Sequence, residues 1–588
     1  MAIDFRNINT VWASILVETL QYLGLTTAII SPGSRSTPLT FAFATHPKIE
    51  TIPILDERSA SFFALGIARK NYRPVVIVCT SGTAAANFYP AIIEAKESRI
   101  PLLVLTADRP PELRNCHAGQ TIDQVKLYGS YPNWQVELSL PSIELKILEY
   151  LRQTIIHGWR KTILPTPGPV HFNIPFRDPL PPIPQPEVIS LEAQFPQNFF
   201  ATVQPIFTTE FLPNFDLTLD LKNQLQSGKG IIIAGLAQPK NPQKYCQAIA
   251  QISQILKFPV LAEGLSPLRN YSRLNPYLIS TYDLILRNQE IGEKLIPKIV
   301  LQIGELPTSK QLRNWLERTN PHRLIMDQSE DNFDPLHGKT NHLRLSVEQL
   351  AQIFTPKFIH SNSDGNYLNL WCNAEVKVRE AIDKKMEAIN QIFEPKIPWL
   401  ISQILPQDTP IFIANSMPVR DVEFFWVPNN SQIKPFFNRG ANGIDGTLST
   451  ALGIAHRQQS SVLLTGDLAL LHDTNGFLLR NKLVGHLTII LINNQGGGIF
   501  EMLPIAKFEP PFTEFFATPQ DINFAALCNT YNVEHQNISS WQQLQQLLNT
   551  LPSSGIRVLE IQTNRRLDAR WRLDNLDKFA APLKSLVN

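Results

Sequence analysis

Cysteine is scarce in this chain. Five thiols, at positions 79, 116, 246, 372 and 528, are spread over 588 residues, and none forms a C-x-x-C pair. Such spacing argues against both a disulfide framework and a structural zinc site. An excess of charge of one sign is missing too: 53 basic and 51 acidic residues leave a net charge of +2. No nucleic-acid or membrane-surface partner is therefore expected, whereas small anionic substrates need only local arginines. There is no run of about 18 apolar residues to span a bilayer. The start, "MAIDFRNINT", lacks the basic and apolar regions of a secretory signal, so a soluble cytoplasmic protein is expected. No short repeat or low-complexity tract is visible.

What the chain does contain is an alternation of helical and strand-like patterns, and its length suggests roughly three or four domains. In the first ~110 residues, "TTAIIS", "IETIPILDE", "PVVIVCTS" and "IPLLVLTA" read as strands. They alternate with helical "NTVWASILVETLQYLG", "RSASFFALGIARK" and "GTAAANFYPAIIEAKES". Continuous apolar strands joined by helical crossovers imply a buried parallel sheet, with ligands beyond the carboxyl ends of its strands. Residues 165–186 carry nine prolines, which excludes helix, and the end of that run reads as a linker. A second α/β segment follows, with strands "KGIIIAG", "KIVLQIG" and "HRLIMD". Polar residues 360–366 read as a second linker, and the rhythm resumes in "TPIFIANS", "SSVLLTGD", "HLTIILINN" and "IRVLEIQT". The expected fold is α/β: three domains, 1–187, 188–360 and 361–588, each with a parallel sheet flanked by helices.

Two stretches carry chemistry. In "AIISPGSRSTPLTF", residues 28–41, a strand runs into a turn where backbone N–H groups, hydroxyls and Arg35 could hold an anion at a helix start. Plain helix capping by Ser or Thr, with Pro38 in the first turn, is the alternative. Nucleotide phosphate is disfavoured, because neither G-x-x-x-x-G-K-[ST] nor G-x-G-x-x-G follows that strand. In "LLTGDLALLHDTNGFLLRNKLVGHLTIILINNQGGGIF", residues 463–500, two strands end in Gly466-Asp467 and Asn493-Asn494-Gln495-Gly496, with twenty-six residues between Asp467 and Asn494. One crossover would set both residues at the same edge of one sheet. A carboxylate, an amide oxygen and the Gly496 carbonyl are hard oxygen ligands suited to Mg²⁺ with phosphate and water.

This second pattern resembles the metal-diphosphate motif of thiamine-diphosphate enzymes, with Leu468 where most members have glycine. The family also uses a glutamate from another domain, hydrogen-bonded to the aminopyrimidine of the cofactor. Glu57, in "ILDERSASFFALGIA", matches that position, and a helix-start glutamate favoured by the dipole is its bland alternative. Within the superfamily, the stretches "SPGSRSTPL", "TSGTAAANFYPAIIEA", "LTADRPPELRNCHAGQTIDQ", "GPVHFNIPFRDPL", "ANSMPVRD", "NRGANGIDGTLSTALGIA" and "NNQGGGIF" are similar to the 2-succinyl-5-enolpyruvyl-6-hydroxy-3-cyclohexene-1-carboxylate synthase family. The match spans both outer domains. It is weak in the middle, where "GELPTSKQLRNWL" carries it.

The resemblance implies a pyruvate-decarboxylase-like arrangement, with pyrimidine-binding, central and diphosphate-binding domains. It implies thiamine diphosphate and Mg²⁺ or Mn²⁺ as cofactors. Its reaction decarboxylates 2-oxoglutarate and adds the succinyl unit to isochorismate, on the way to menaquinone or phylloquinone. Asp467, Asn494 and Gly496 would hold the metal; Glu57 would be catalytic; Gly82, Ile444, Gly466, Leu468, Ile499 and Phe500 would meet the cofactor. Ser416, Arg420 and Arg439 would hold the succinyl end, while Ser34, Arg35, Arg109 and Gln120 would face isochorismate, with Lys310 a further candidate. A homodimer or homotetramer is implied. Another thiamine-diphosphate decarboxylase or carboligase is the rival. A flavin-using relative would want a dinucleotide site in the middle domain, where "IIIAGLAQPKNPQ" has one glycine. A catalytically dead scaffold is disfavoured by the presence of Glu57, Asp467 and Asn494. His117, His171, His472 and His486 are assigned no role, and "NRRLDARWR" near the carboxyl end reads as a solvated face.

Overall fold

The computed structural model describes residues 3–206, 223–226, 228–354 and 365–586. Three six-stranded sheets, every pairing parallel, form its framework. Sheet A comprises β1 (Thr27–Ile30), β2 (Glu50–Pro53), β3 (Val75–Cys79), β4 (Leu102–Asp108), β5 (Trp134–Glu137) and β6 (Pro169–Pro175). Sheet B comprises β7 (Gly230–Ala234), β8 (Val260–Ala262), β9 (Leu278–Ile279), β10 (Ile299–Ile303), β11 (His322–Met326) and β12 (Thr340–Leu343). Sheet C comprises β13 (Pro410–Ile413), β14 (Lys434–Phe436), β15 (Ser461–Gly466), β16 (His486–Asn493), β17 (Glu534–Asn537) and β18 (Gly555–Gln562). The central strands β3, β4, β7, β10 and β16 are buried along their whole length, which is why they read as unbroken apolar runs.

Sheets A and C share one strand order, β2-β1-β3-β4-β6-β5 and β14-β13-β15-β16-β18-β17. Chain direction across each reverses between the first and third strands, the crevice where open α/β sheets receive ligands. Sheet B runs β12-β11-β10-β7-β8-β9, the order of a dinucleotide fold. Its first strand nevertheless leads into a turn with a single glycine, Gly235, packed against the Glu305 carbonyl.

Several elements differ in detail from their sequence patterns. "GTAAANFYPAIIEAKES" forms two helices, Thr83–Asn87 and Tyr89–Glu97, because Pro90 supplies no N–H to continue the first. The proline run holds the interior strand β6, with Pro169 and Pro175 at its two ends, and its last residue opens a helix, Pro186–Gln194. Residues 360–364 of the second expected linker lie outside the described residues. Gly365 caps the long helix Asn366–Glu387. No helix among the described residues is long and apolar enough to cross a membrane.

The chain divides into two compact units. The first holds residues 1–210 with 438–458 and 471–485; the second holds 211–437, 459–470 and 486–588. Within the first, helix Glu57–Asn71 packs on helix Thr447–Ala455 through two glycines. A Cβ on Gly66 would stand 2.2 Å from the Thr450 carbonyl oxygen, and one on Gly453 would stand 2.1 Å from that of Phe63. Backbone meets backbone there, so neither side can yield. Gly66→Val should lower the thermal midpoint, with a loss of roughly 1–3 kcal/mol or more; a midpoint equal to that of the parent protein would mean that the two helices separate without cost.

Candidate active site

In the first unit, the carboxyl edge of sheet A gathers most of the sequence-derived candidates. Ser34 and Arg35 follow β1, Glu57 follows β2, Gly82 follows β3, and Arg109 and Gln120 follow β4. The turn after β1 lies close against the turn after β3: a Cβ on Gly33 would fall 2.2 Å from that of Thr80, whose hydroxyl accepts the Arg35 N–H at 3.2 Å. Arg35 itself is 5% exposed. Its Nη1 donates to the Phe176 carbonyl at 2.9 Å, while its buried Nε has no protein partner. Ser34 is exposed. Helix Thr37–Ala44 starts without a side-chain cap, since the Ser36 hydroxyl donates back to the Gly33 carbonyl at 3.0 Å. The Thr37 N–H bonds the Ser34 carbonyl at 3.0 Å instead, and Pro38 has no N–H to satisfy.

Glu57 is the first residue of its helix, four residues past the end of β2, behind the N-cap Asp56, whose carboxylate accepts the Ser59 N–H at 2.9 Å. Asn475 donates to the other Asp56 oxygen at 2.6 Å. Glu57 is half-buried, and its carboxylate makes no hydrogen bond among the described residues. Gly82, with φ +87°, gives its N–H to Gln124 at 2.8 Å and lies beside Gln120. Ser81 and Gln120 exchange two hydrogen bonds of 3.0 Å, which hold Gln120 at φ +56°. Arg109 reaches the Gly119 carbonyl at 2.9 Å. Beneath these loops His171 bonds Thr106 at 2.8 Å, and burial pushes its imidazole down to about 3; it is a neutral core group.

The loop carrying Arg439 and Ile444 also belongs to this unit. Glu94 pins it by accepting the N–H groups of Gly440 and Ala441 at 3.1 and 2.7 Å, and Arg69 neutralises Glu94 at 3.2 Å.

In the second unit the carboxyl edge of sheet C gathers the rest. β13, β15 and β16 are neighbours, so Ser416, Asp467 and Asn494 follow adjacent strands. Ser416 has φ +72°, an uncommon conformation for a residue with a side chain and one that concentrates at functional sites. The helix it leads, Met417–Phe425, carries Arg420, which donates to the Ser416 carbonyl at 2.6 Å. Gly466 pairs with Ile492 in the β15–β16 ladder, which brings Asp467 level with Asn493. Asp467 accepts the N–H of Leu468 and that of Gly496, each at 2.8 Å. Burial nonetheless pushes its carboxyl up to about 6, a cost that a bound cation would reverse.

Asn494 is 6% exposed, and its Oδ1 is buried with no hydrogen-bond partner. Gly496 has φ +131°, and a Cβ there would strike the Ala517 carbonyl at 2.2 Å. Its own carbonyl accepts the Gly498 N–H at 2.9 Å and retains a second lone pair. An ionisable carboxylate, an orphaned amide oxygen and a carbonyl are an apt oxygen set for Mg²⁺ completed by phosphate and water. Among the described residues no cluster of three His, Cys, Asp or Glu side chains could hold a metal. Ile499 and Phe500 continue this loop, half-buried. Lys310 is exposed at the start of helix Lys310–Thr319, beyond β10 of sheet B.

The second unit also shows groups that sequence patterns did not single out. "NRRLDARWR" is a solvated face only in part: Arg572 and Asp568 are buried, because helix Arg565–Asn575 turns one side inward. Arg572 pairs with Asp421 and Glu394, and Arg565 donates to the Gln495 carbonyl at 2.7 Å. The i, i+4 spacing of Asp568 and Arg572 was the available signal.

The chain matches the N-terminal TPP binding domain of thiamine pyrophosphate enzymes over residues 11–127 and the middle domain of thiamine pyrophosphate enzymes over 204–413. It is similar to curated 2-succinyl-5-enolpyruvyl-6-hydroxy-3-cyclohexene-1-carboxylate synthases. The one from Trichodesmium erythraeum is 81% identical over 98% of this chain and all of its own length. Those from a Nostoc species and from Trichormus variabilis are 65% and 64% identical over 99% of both chains. Asn494→Leu keeps the branched shape of the side chain and deletes the orphaned oxygen together with the amide nitrogen. Calorimetric titration with Mg²⁺ and thiamine diphosphate should show binding weakened at least about tenfold, since one bound-ion contact is lost; undiminished binding would remove Asn494 from the ligand set.

Proposed function

The chain belongs to the thiamine-diphosphate-dependent 2-succinyl-5-enolpyruvyl-6-hydroxy-3-cyclohexene-1-carboxylate synthases of menaquinone and phylloquinone biosynthesis, and we propose that it couples 2-oxoglutarate, with loss of CO₂, to isochorismate. The observation that carries the site assignment is the buried, unpartnered Asn494 Oδ1 beside Asp467 at the crevice edge of sheet C. Asp467, Asn494 and the Gly496 carbonyl hold Mg²⁺ or Mn²⁺ on the diphosphate. Gly82, Ile444, Gly466, Leu468, Ile499 and Phe500 border the cofactor. When bound, thiamine diphosphate supplies the electron sink for decarboxylation and the nucleophilic carbon for coupling.

The residues of the chain provide charge, orientation and one proton. The Glu57 carboxyl holds a proton at the pyrimidine nitrogen of the cofactor, and comes from the partner subunit of a cytoplasmic homodimer or homotetramer. Ser416, Arg420 and Arg439 bind the carboxylates of the succinyl unit. Ser34, Arg35, Arg109 and Gln120 take isochorismate, and Lys310 adds a cation from the central domain. Support comes from the arginines: both substrates are polycarboxylates, and the buried Nε atoms of Arg35 and Arg109 have donor capacity that no protein acceptor uses. Fixing the two substrates against one carbon makes their union effectively unimolecular.

Purified protein given thiamine diphosphate, Mg²⁺, 2-oxoglutarate and isochorismate should consume isochorismate and release CO₂ in equal amounts. Decarboxylation without isochorismate loss would instead indicate a simple 2-oxo-acid decarboxylase. Glu57→Gln should cut turnover by about 10²-fold or more with an unchanged thermal midpoint; full activity would end the role given to Glu57. Arg35→Ala should spare decarboxylation and abolish coupling, and a variant that couples normally would show that isochorismate is held elsewhere.

A further inference from the structure

Behind the metal loop lies a buried ionic cluster that the assigned roles do not use. Arg572, on helix Arg565–Asn575, is 1% exposed. Its Nε donates to Asp421 Oδ1 at 2.9 Å and its Nη2 to Asp421 Oδ2 at 2.5 Å. The same Nη2 stands 3.3 Å from Glu394 Oε2, and that oxygen accepts Asn494 Nδ2 at 3.5 Å. Asp421 and Glu394 are each 1% exposed. Asp568, one turn before Arg572 on the same helix, is also buried.

The cluster touches both halves of the sheet C site. An asparagine amide has two ends that differ only in hydrogen bonding, and a carboxylate accepts from the nitrogen alone. Glu394 therefore takes the Nδ2 end and leaves Oδ1 as the end turned to a cation. Asp421 adjoins Arg420 on the helix led by Ser416, so its bidentate pair with Arg572 sets the rotation of the helix that carries the succinyl-binding residues. We infer that Arg572 is a positioning residue: one buried guanidinium orients the metal ligand Asn494 through Glu394 and the substrate helix through Asp421. The inference rests on the cofactor assignment above. The guanidinium fork is what the role needs, because an ammonium is a point charge that cannot meet Asp421 side-on and Glu394 at once.

Arg572→Ala would strand two carboxylates in the interior and is expected to unfold the chain. Arg572→Lys and Glu394→Gln keep volume and are the informative variants. Calorimetry on full-length protein, without substrates, measures the Mg²⁺ concentration that half-saturates thiamine diphosphate binding. For both variants it should rise about 10–100-fold, the usual cost of losing an outer-shell partner, and excess Mg²⁺ should restore binding. Asp421→Asn should leave that concentration unchanged and raise the KM for 2-oxoglutarate. Parent protein that binds no cofactor would overturn the cofactor assignment itself. Parent protein that binds, with Arg572→Lys and Glu394→Gln variants that half-saturate at the parent Mg²⁺ concentration or that excess Mg²⁺ fails to rescue, would overturn the positioning role alone. If one of these two variants does not fold, the other decides.

Discussion

A single buried carboxylate organises the edge of sheet C. Asp467 follows β15 where the ladder sets it level with Asn493, and it draws the Gly496 N–H across from β16 at 2.8 Å. That bond joins two others on the glycine-rich loop after β16, from Arg565 to the Gln495 carbonyl and from the Gly497 N–H to the Ala517 carbonyl, each at 2.7 Å. With them, the loop is confined against the Ala517 carbonyl, in a conformation open only to glycine. Burial costs the ionised form of Asp467 enough to lift its carboxyl to about 6, and two N–H groups only partly offset this. The protein holds an anion in a place where an anion is unfavourable, beside an amide oxygen with nothing to accept. Both are liabilities in an empty fold, and both become ligand energy once a divalent cation lies between them.

The edge of sheet A works by a different economy. Its loops are tied to one another and to strands by neutral hydrogen bonds: Gly82 to Gln124, Ser81 to Gln120, Arg35 to Thr80 and Phe176. Arg35 and Arg109 are held there by carbonyl oxygens, of Phe176 and Gly119, whereas Arg114 and Arg177 pair with carboxylates; the charge of the first two is the less cancelled. Among the described residues, the ion partner of Arg35 is Asp178, at 3.9 Å. Uncancelled guanidinium groups on an otherwise near-neutral chain are what small polycarboxylates require, since affinity then comes from fixed donors rather than from a long-range field.

Much of this was legible in the sequence, for a physical reason. Strands buried on both faces are unbroken apolar runs, and in a parallel sheet their ends share one edge, so Asp467 and Asn494 could be set side by side from spacing alone. The same rule sets the turns that hold Ser34 and Gly82 at strand ends, while the roles given to them and to Arg109 came from the resemblance. Prolines hid β6, because a strand that begins and ends in proline resembles a linker until its interior is seen to pair on both sides. Arg572 was hidden by its neighbours: five of the nine residues in "NRRLDARWR" are charged, and periodicity in such a segment does not tell which cation turns inward. Glu394 and Asp421 were illegible because a buried ion cluster is defined by contacts among residues far apart in the chain.

Synthesis meets a constraint in the helix Thr447–Ala455. When the first 210 residues have left the ribosome, sheet A is complete, yet the helix that covers Glu57–Asn71 has not been made. Gly453 is translated 387 residues after Gly66 (453 − 66), a delay of roughly 20–80 s at usual elongation rates. Over that interval an apolar helix face with a glycine notch stands open to chaperones and to other nascent chains. The amino-terminal unit is thus the first to begin folding and among the last to finish, and a chain that stops early, however intact its first sheet, leaves that face bare.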